Sequence, residues 1–205
     1  MTFKTEQESF WAGEFGNDYI ERNQGQQLLA SNLALFTRIL SRTERLGSLI
    51  EFGANIGMNI HAFKQLLPGT DLAAIEINEK AVEQLKQIDD LTVTHDSLLE
   101  FTPQREYEMS FIKGVLIHIN PDALSKVYEA LYRTSSRYIC IIEYYNPSPV
   151  EVPYRGHQGK LFKRDFAGEM LDKYSDLKLV DYGFSYHRDT NFPQDDLTWF
   201  LLEKQ

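Results

Sequence analysis

The stretch Leu49-Ile50-Glu51-Phe52-Gly53-Ala54-Asn55-Ile56-Gly57-Met58-Asn59 decides the fold. It reads as a short apolar strand carrying an acidic residue near its end, then a glycine turn, then a helix start. Gly53 and Gly57 leave out side chains where the backbone turns tightly and meets a ligand, and a helix beginning near Met58 aims free N–H groups at the same spot. A second acidic residue, Glu76, ends the next apolar strand, 23 residues beyond Gly53. That is close to the roughly 20-residue offset at which a carboxylate holds ribose hydroxyls in nucleotide-binding α/β folds.

The pattern is Glu-x-Gly-x-Asn-x-Gly, not Gly-x-Gly-x-x-Gly. A dinucleotide site packs pyrophosphate on its turn, and a carboxylate just before the turn repels it. Glu51 is better matched to a cationic group. S-adenosylmethionine carries an ammonium and a sulfonium and no phosphate. The turn resembles motif I of the class I S-adenosylmethionine-dependent methyltransferases. Asn55 stands where that motif often has glycine, and asparagine tolerates the left-handed backbone.

Outward from this turn, strands and helices alternate. Helical spacing of Leu28, Leu29, Leu33, Leu35, Phe36, Ile39 and Leu40 predicts a helix over 25–41. Strands are expected at about 48–52, 71–76, 91–94, 109–113 and 138–143. Helices are expected at about 57–67, after Asn78, after Asn120-Pro121 and at 163–174. Two last strands, 177–185 and 196–203, flank a loop with no helix, which predicts an antiparallel pair. Residues 1–24 read as an irregular or partly helical lid, and 144–162 as a loop. This is an α/β chain with a mostly parallel sheet and helices on both faces. Residues 1–45 are expected to form the lid and a helix packed on a core formed by 46–205, within one domain. The resemblance implies the Rossmann-like class I methyltransferase fold, seven-stranded with an antiparallel last strand.

The 205 residues carry a net charge of −9, which argues against a nucleic-acid partner. The polar start lacks a secretory h-region and no apolar run suits a membrane span, so a cytoplasmic protein without a membrane partner is expected. The single cysteine, Cys140, lies in an apolar strand and reads as a buried thiol. His95, Asp96, His157 and His187 show no tight ligand spacing, so no metal is expected.

The resemblance implies a set of contacts for S-adenosylmethionine. Gly53, Asn55 and Gly57 allow close backbone approach, Glu51 serves the ammonium and Glu76 the ribose diol. Asp96 with Ser97 takes the adenine amine, Ile77 and Leu98 cover the ring, and Lys113-Gly114 lines the methionine portion. The lesser alternatives are Glu76 as a helix-entry carboxylate and Asp96 as a turn residue.

Over nearly its full length the chain resembles a narrower group, the methyltransferases associated with pseudaminic acid biosynthesis. The residues carrying this are Phe10–Gly16 with Tyr19 and Glu21-Arg22-Asn23, the turn 51–59, Lys113–Pro121, Glu143–Pro147 and Tyr154-Arg155-Gly156. The resemblance implies a sugar or sugar-derived acceptor, a nonulosonic acid or its activated form, oligomeric state undetermined. His118 follows the fourth strand and is the candidate base, since an unperturbed imidazole titrates near neutrality; it could instead be structural. Trp11, Tyr19, Arg22, Glu143, Tyr144, Tyr154 and Arg155 are candidate substrate contacts. Tyr145, His157, Lys160 and Arg164 accompany them in the basic loop, which can also be read as a solvated surface. Transfer to oxygen is slightly favoured over nitrogen. Rival readings are a methyltransferase for a peptide or protein side chain, a noncatalytic cofactor-binding module, and a nicotinamide-dependent enzyme.

Overall fold

The computed structural model describes residues 2–205. The chain begins with helices α1 (Glu6–Ala12), α2 (Glu14–Arg22) and α3 (Gln26–Leu40). Then come β1 (Ser48–Phe52), α4 (Met58–Leu66), β2 (Asp71–Glu76), α5 (Glu79–Leu85), β3 (Leu91–His95) and β4 (Tyr107–Lys113). A single 3₁₀ turn, Leu116–His118, and a second, Pro121–Ala123, lead into α6 (Leu124–Thr134) and β5 (Ser135–Glu143). The chain closes with β6 (Val150–Glu151), β7 (Phe162–Lys163), α7 (Phe166–Lys173), β8 (Leu177–Ser185) and β9 (Leu197–Lys204).

Seven strands form one sheet in the order β3-β2-β1-β4-β5-β9-β8. The first five run parallel, and β9 enters antiparallel between β5 and β8. Strand five shows why helices must cover both faces. Its Ile139 and Ile141 pack with Leu131, Phe166 and Met170 from α6 and α7, while Tyr138, Cys140 and Ile142 pack with Phe36 and Phe63 from α3 and α4. A strand buried on both sides must be apolar at every position, and 138–142 is. Cys140 is fully buried, as its setting predicts.

Of the two readings of residues 1–24 the helical one holds, and one expectation is corrected. Helices α1 and α2 are regular, and α1 opens with a capping box in which the Thr5 hydroxyl accepts from the Glu8 N–H while the Glu8 carboxylate accepts from the Thr5 N–H at 2.8 Å. The loop over 144–162 contains β6, which pairs with β7 to make a short antiparallel ribbon beside the sheet's carboxyl edge. Among the described residues no helix is long and apolar enough to cross a membrane.

Candidate active site

The sheet reverses direction of growth between β1 and β4, and loops diverging from neighbouring strand ends open a crevice there. A cavity of about 520 Å³ occupies that place. Gly53 and Ala54 donate their N–H groups to the Ile75 carbonyl, which pulls the turn over the end of β2. Gly53, Asn55 and Gly57 all have positive φ, at 76°, 48° and 83°. A Cβ on Gly53 would lie 2.7 Å from Val115 Cγ2, so glycine is demanded by space as well as by dihedral.

Glu76, 8% exposed, sits at the tip of β2 and lines the cavity. Its carboxylate accepts from the N–H groups of Asn55 at 2.7 Å, Ile77 at 2.9 Å and Asn78 at 2.8 Å. Burial pushes its pKa up and the three donors oppose that push. The carboxylate therefore organises two loops while keeping lone pairs for a ligand.

Glu51 lies one layer deeper. It is fully buried and does not line the cavity; Asn59, on the first turn of α4, lines the cavity above it and donates to its carboxylate at 2.5 Å. Burial pushes Glu51 up to about 8, against the Asn59 hydrogen bond and the Lys113 ammonium. Gly57 also lies off the cavity: it packs against Leu85 and Ile88 near α5. Asp96 accepts from the Ser97 N–H at 2.8 Å outside the cavity wall, whereas Ser97, Ile77 and Leu98 line it. The Ser97 hydroxyl is engaged by Glu8, which ties α1 to the loop after β3. Lys113 and Gly114 line the cavity from the end of β4, and burial pushes the Lys113 pKa down.

His118 also lines the cavity, 6% exposed. Its ring lies 4.5 Å from Trp11 and 4.8 Å from Tyr154 by centroids. Nδ1 is 2.5 Å from the Lys160 carbonyl. A carbonyl can only accept, so Nδ1 carries the proton and Nε2 keeps its lone pair. Burial pushes His118 down to about 4, so it does not titrate near neutrality as its unperturbed value suggests.

Trp11, Tyr19, Arg22, Tyr144, Tyr154 and Arg155 line the same cavity. Arg22 and Arg155 are exposed and make no ion pair among the described residues. Glu143 is corrected: it is buried behind the wall and accepts from the Val115 and Leu116 N–H groups at 2.9 and 2.8 Å, holding the loop after β4. The rest of the basic loop is likewise occupied elsewhere. Arg164 pairs with Glu169, Lys160 reaches Glu6, and His157 packs on Phe10 and Phe15. Asn32, Gln194 and Asp195 are among the lining residues that were not foreseen. Burial raises Tyr19 and Tyr144, and the Asp195 charge adds to both while it supports the Lys113 ammonium against its own burial. Among the described residues no cluster of three His, Cys, Asp or Glu side chains is placed to hold a metal ion.

A seven-stranded sheet of this order, with its antiparallel insertion and a crevice at the switch point, is the Rossmann-like methyltransferase fold. It is similar to the solved structure of magnesium protoporphyrin IX methyltransferase from Synechocystis PCC 6803 with bound S-adenosylhomocysteine (15% identity, 99% of this chain and 100% of that one, TM-score 0.69). It is also similar to 1,6-didemethyltoxoflavin-N1-methyltransferase from Burkholderia thailandensis (12% identity, 97% and 87%, TM-score 0.71). A third likeness is to a glycopeptide N-methyltransferase with S-adenosylhomocysteine (10% identity, 95% and 99%, TM-score 0.66). At such identities the likeness shows the fold. No family model matches the chain, and no curated protein matches it in sequence.

Proposed function

We propose that this chain is an S-adenosylmethionine-dependent methyltransferase acting on a sugar or sugar-derived small molecule, with a nonulosonic acid of the pseudaminic type or its activated form as the favoured acceptor. The observation that carries the reading is Glu76: a buried carboxylate at the tip of β2, fixed by three backbone donors, facing a cavity at the switch point. Structures sharing this fold hold S-adenosylhomocysteine and act, by their names, on small molecules or a glycopeptide.

The residues present fit this cofactor. Glu76 at the cavity and Glu51 behind Asn59 are carboxyl groups held up by burial, so a cation that draws them into the ionised form suits this place better than a pyrophosphate, and the turn has no room for a side chain at Gly53. In this reading Glu76 takes the ribose diol. Ile77 and Leu98 flank the adenine, and Ser97 meets its edge. Asn59, backed by Glu51, faces the ammonium, with Lys113 and Gly114 beside the carboxylate. Bound there, the cofactor supplies an electrophilic methyl group on sulfur.

The chain then has three tasks: position the acceptor, exclude water and remove a proton. Tyr154 and Trp11 wall the acceptor in from the His118 side. Arg22 and Arg155, which lie over the Phe15 and Tyr154 rings and make no ion pair among the described residues, suit a carboxylate or phosphate on the acceptor. His118 Nε2 accepts the acceptor hydroxyl. Were the methyl group to pass to that oxygen, the hydroxyl proton would become strongly acidic while already held at His118 Nε2. A base with a pKa of about 4 can take it at that late stage. This favours transfer to oxygen.

Isothermal titration tests the cofactor: S-adenosylmethionine and S-adenosylhomocysteine should bind and NAD should not. Labelled cofactor incubated with sugar-nucleotide extracts should then yield a methylated sugar identifiable by mass. Label appearing only in peptides would replace the acceptor class, and binding without any transfer would leave a cofactor-binding module.

A further inference from the structure

Four polar side chains from four separate elements, three of them buried and Asn59 half-buried, form one hydrogen-bonded line. Gln194, in the loop between β8 and β9, donates from Nε2 to Asn32 Oδ1 at 3.1 Å. Asn32, on α3, donates from Nδ2 to Asn59 Oδ1 at 2.9 Å. Asn59, on α4, donates from Nδ2 to Glu51 Oε1 on β1 at 2.5 Å. Asn32 is 1% exposed, Gln194 7% and Glu51 0%. The three amides all line the cavity, and the carboxylate closes the line behind them.

An amide presents a donor on one edge and an acceptor on the other, so a chain of amides ending on a carboxylate has a direction. While Glu51 is ionised it can only accept. Each amide then points its N–H toward it, and Gln194 is left with a carbonyl edge for the cavity. When Glu51 binds a proton it can donate to Asn59, and the whole line can reverse, giving Gln194 an N–H edge instead. Gln194 adjoins Asp195, which also lines the cavity and acts electrostatically on Tyr19, Tyr144 and Lys113.

We infer that Asn32 and Gln194 are positioning residues that carry the charge state of Glu51 across to the acceptor wall of the cavity. This rests on the methyltransferase reading for its purpose: a cation arriving beside Asn59 draws Glu51 into its ionised form and so sets the edge that Gln194 offers the acceptor. The groups acting on Glu51 are Asn59 from α4, Glu76 from β2 and Lys113 from β4; Lys113 in turn is supported by Glu143 from β5 and Asp195 from the loop.

Side-chain amide signals in nitrogen-15 spectra of the ligand-free protein, followed from pH 5 to 9, decide the matter. The signals of Asn59, Asn32 and Gln194 should move together with one midpoint near the Glu51 value of about 8. Glu51→Gln should abolish that shared movement. Asn32→Leu should leave Asn59 titrating and stop Gln194, and Gln194→Leu should leave the other two titrating. Gln194 signals that stay fixed while those of Asn59 move, or that still move in Asn32→Leu, overturn the inference. If Asn32→Leu does not fold, the wild type against Glu51→Gln and Gln194→Leu decides alone. S-adenosylhomocysteine added to the wild type tests the methyltransferase reading separately: failure to bind defeats that reading and leaves the titration to judge the relay.

Discussion

His118 donates from Nδ1 to the Lys160 carbonyl at 2.5 Å, which fixes both its ring orientation and its tautomer. The nitrogen left with a lone pair is Nε2, in a pocket walled by Trp11 and Tyr154. Replacing His118 by Ala should cut methyl transfer by about 10²–10⁴-fold while S-adenosylhomocysteine affinity stays within a few-fold. Turnover near the wild-type rate, measured with the acceptor identified by mass, would return His118 to a structural role.

Stability should depend on pH in two opposing senses. Between pH 4 and 6.5 the unfolded chain binds a proton at His118 that the folded chain refuses. This site alone makes stability rise with pH across that window, by about 3 kcal/mol at most. Glu51, Glu76 and Glu143 act the other way, because burial holds protons on them that the unfolded chain releases above about 4.5. Their contribution falls as pH rises, through about 7 for Glu143 and about 8 for Glu51. Urea unfolding at pH 6.5 and 8 should therefore show a decline that Glu51→Gln lessens. An equal decline in that variant would show that Glu51 is already ionised in the folded protein at pH 6.5.

Glu76 serves the loops as well as the cavity. Glu76→Ala strands three backbone donors, at about 1–3 kcal/mol for each that water cannot reach. A lowered Tm and at least a tenfold weaker cofactor affinity are expected together. Glu76→Gln keeps an oxygen acceptor but adds a donor facing N–H groups, so it should recover part of the Tm and less of the affinity. Full affinity in both variants would remove Glu76 from the cofactor site.

The Gly53 turn makes a steric prediction. Gly53→Ala puts a methyl group against Val115 in a left-handed backbone, costing about 1–3 kcal/mol. Adding Val115→Ala should recover the steric share and leave the dihedral share. A double mutant no more stable than Gly53→Ala, judged against Val115→Ala alone, would show that the clash is relieved without cost.

The turn and the sheet could be read from the chain because local rules and tertiary demands agree there. Gly53, Asn55 and Gly57 occupy left-handed backbone that those residue types accept, and 138–142 is apolar on both faces because both are covered. Helix α1 carried a visible sign, Thr5 three residues before Glu8, but its mixed charges and aromatics hid the periodicity: one side meets the cavity and the core, so apolar and polar residues share it. Ribbon β6–β7 pairs only two residues on each side, too few to pattern a sequence. Asn32, Gln194 and Asp195 had no local signal at all. Asn32 and Gln194 are 162 residues apart, and only the packing of α3 beside the β8–β9 loop brings them together. Glu143 ends a strand facing the crevice, yet the loop after β4 claims its oxygen for two N–H groups.

Helix α1 has a temporal consequence. Its Glu8, Gln7 and Glu6 bond to Ser97, Gly159 and Lys160, which follow them by 89, 152 and 154 residues. Synthesis at about 5–20 residues per second leaves this helix waiting roughly 8–30 s for its last partner to emerge. The roof of the crevice is thus translated before its walls, and a nascent chain halted before residue 159 would keep the Ser97 tie but lack those to Gly159 and Lys160.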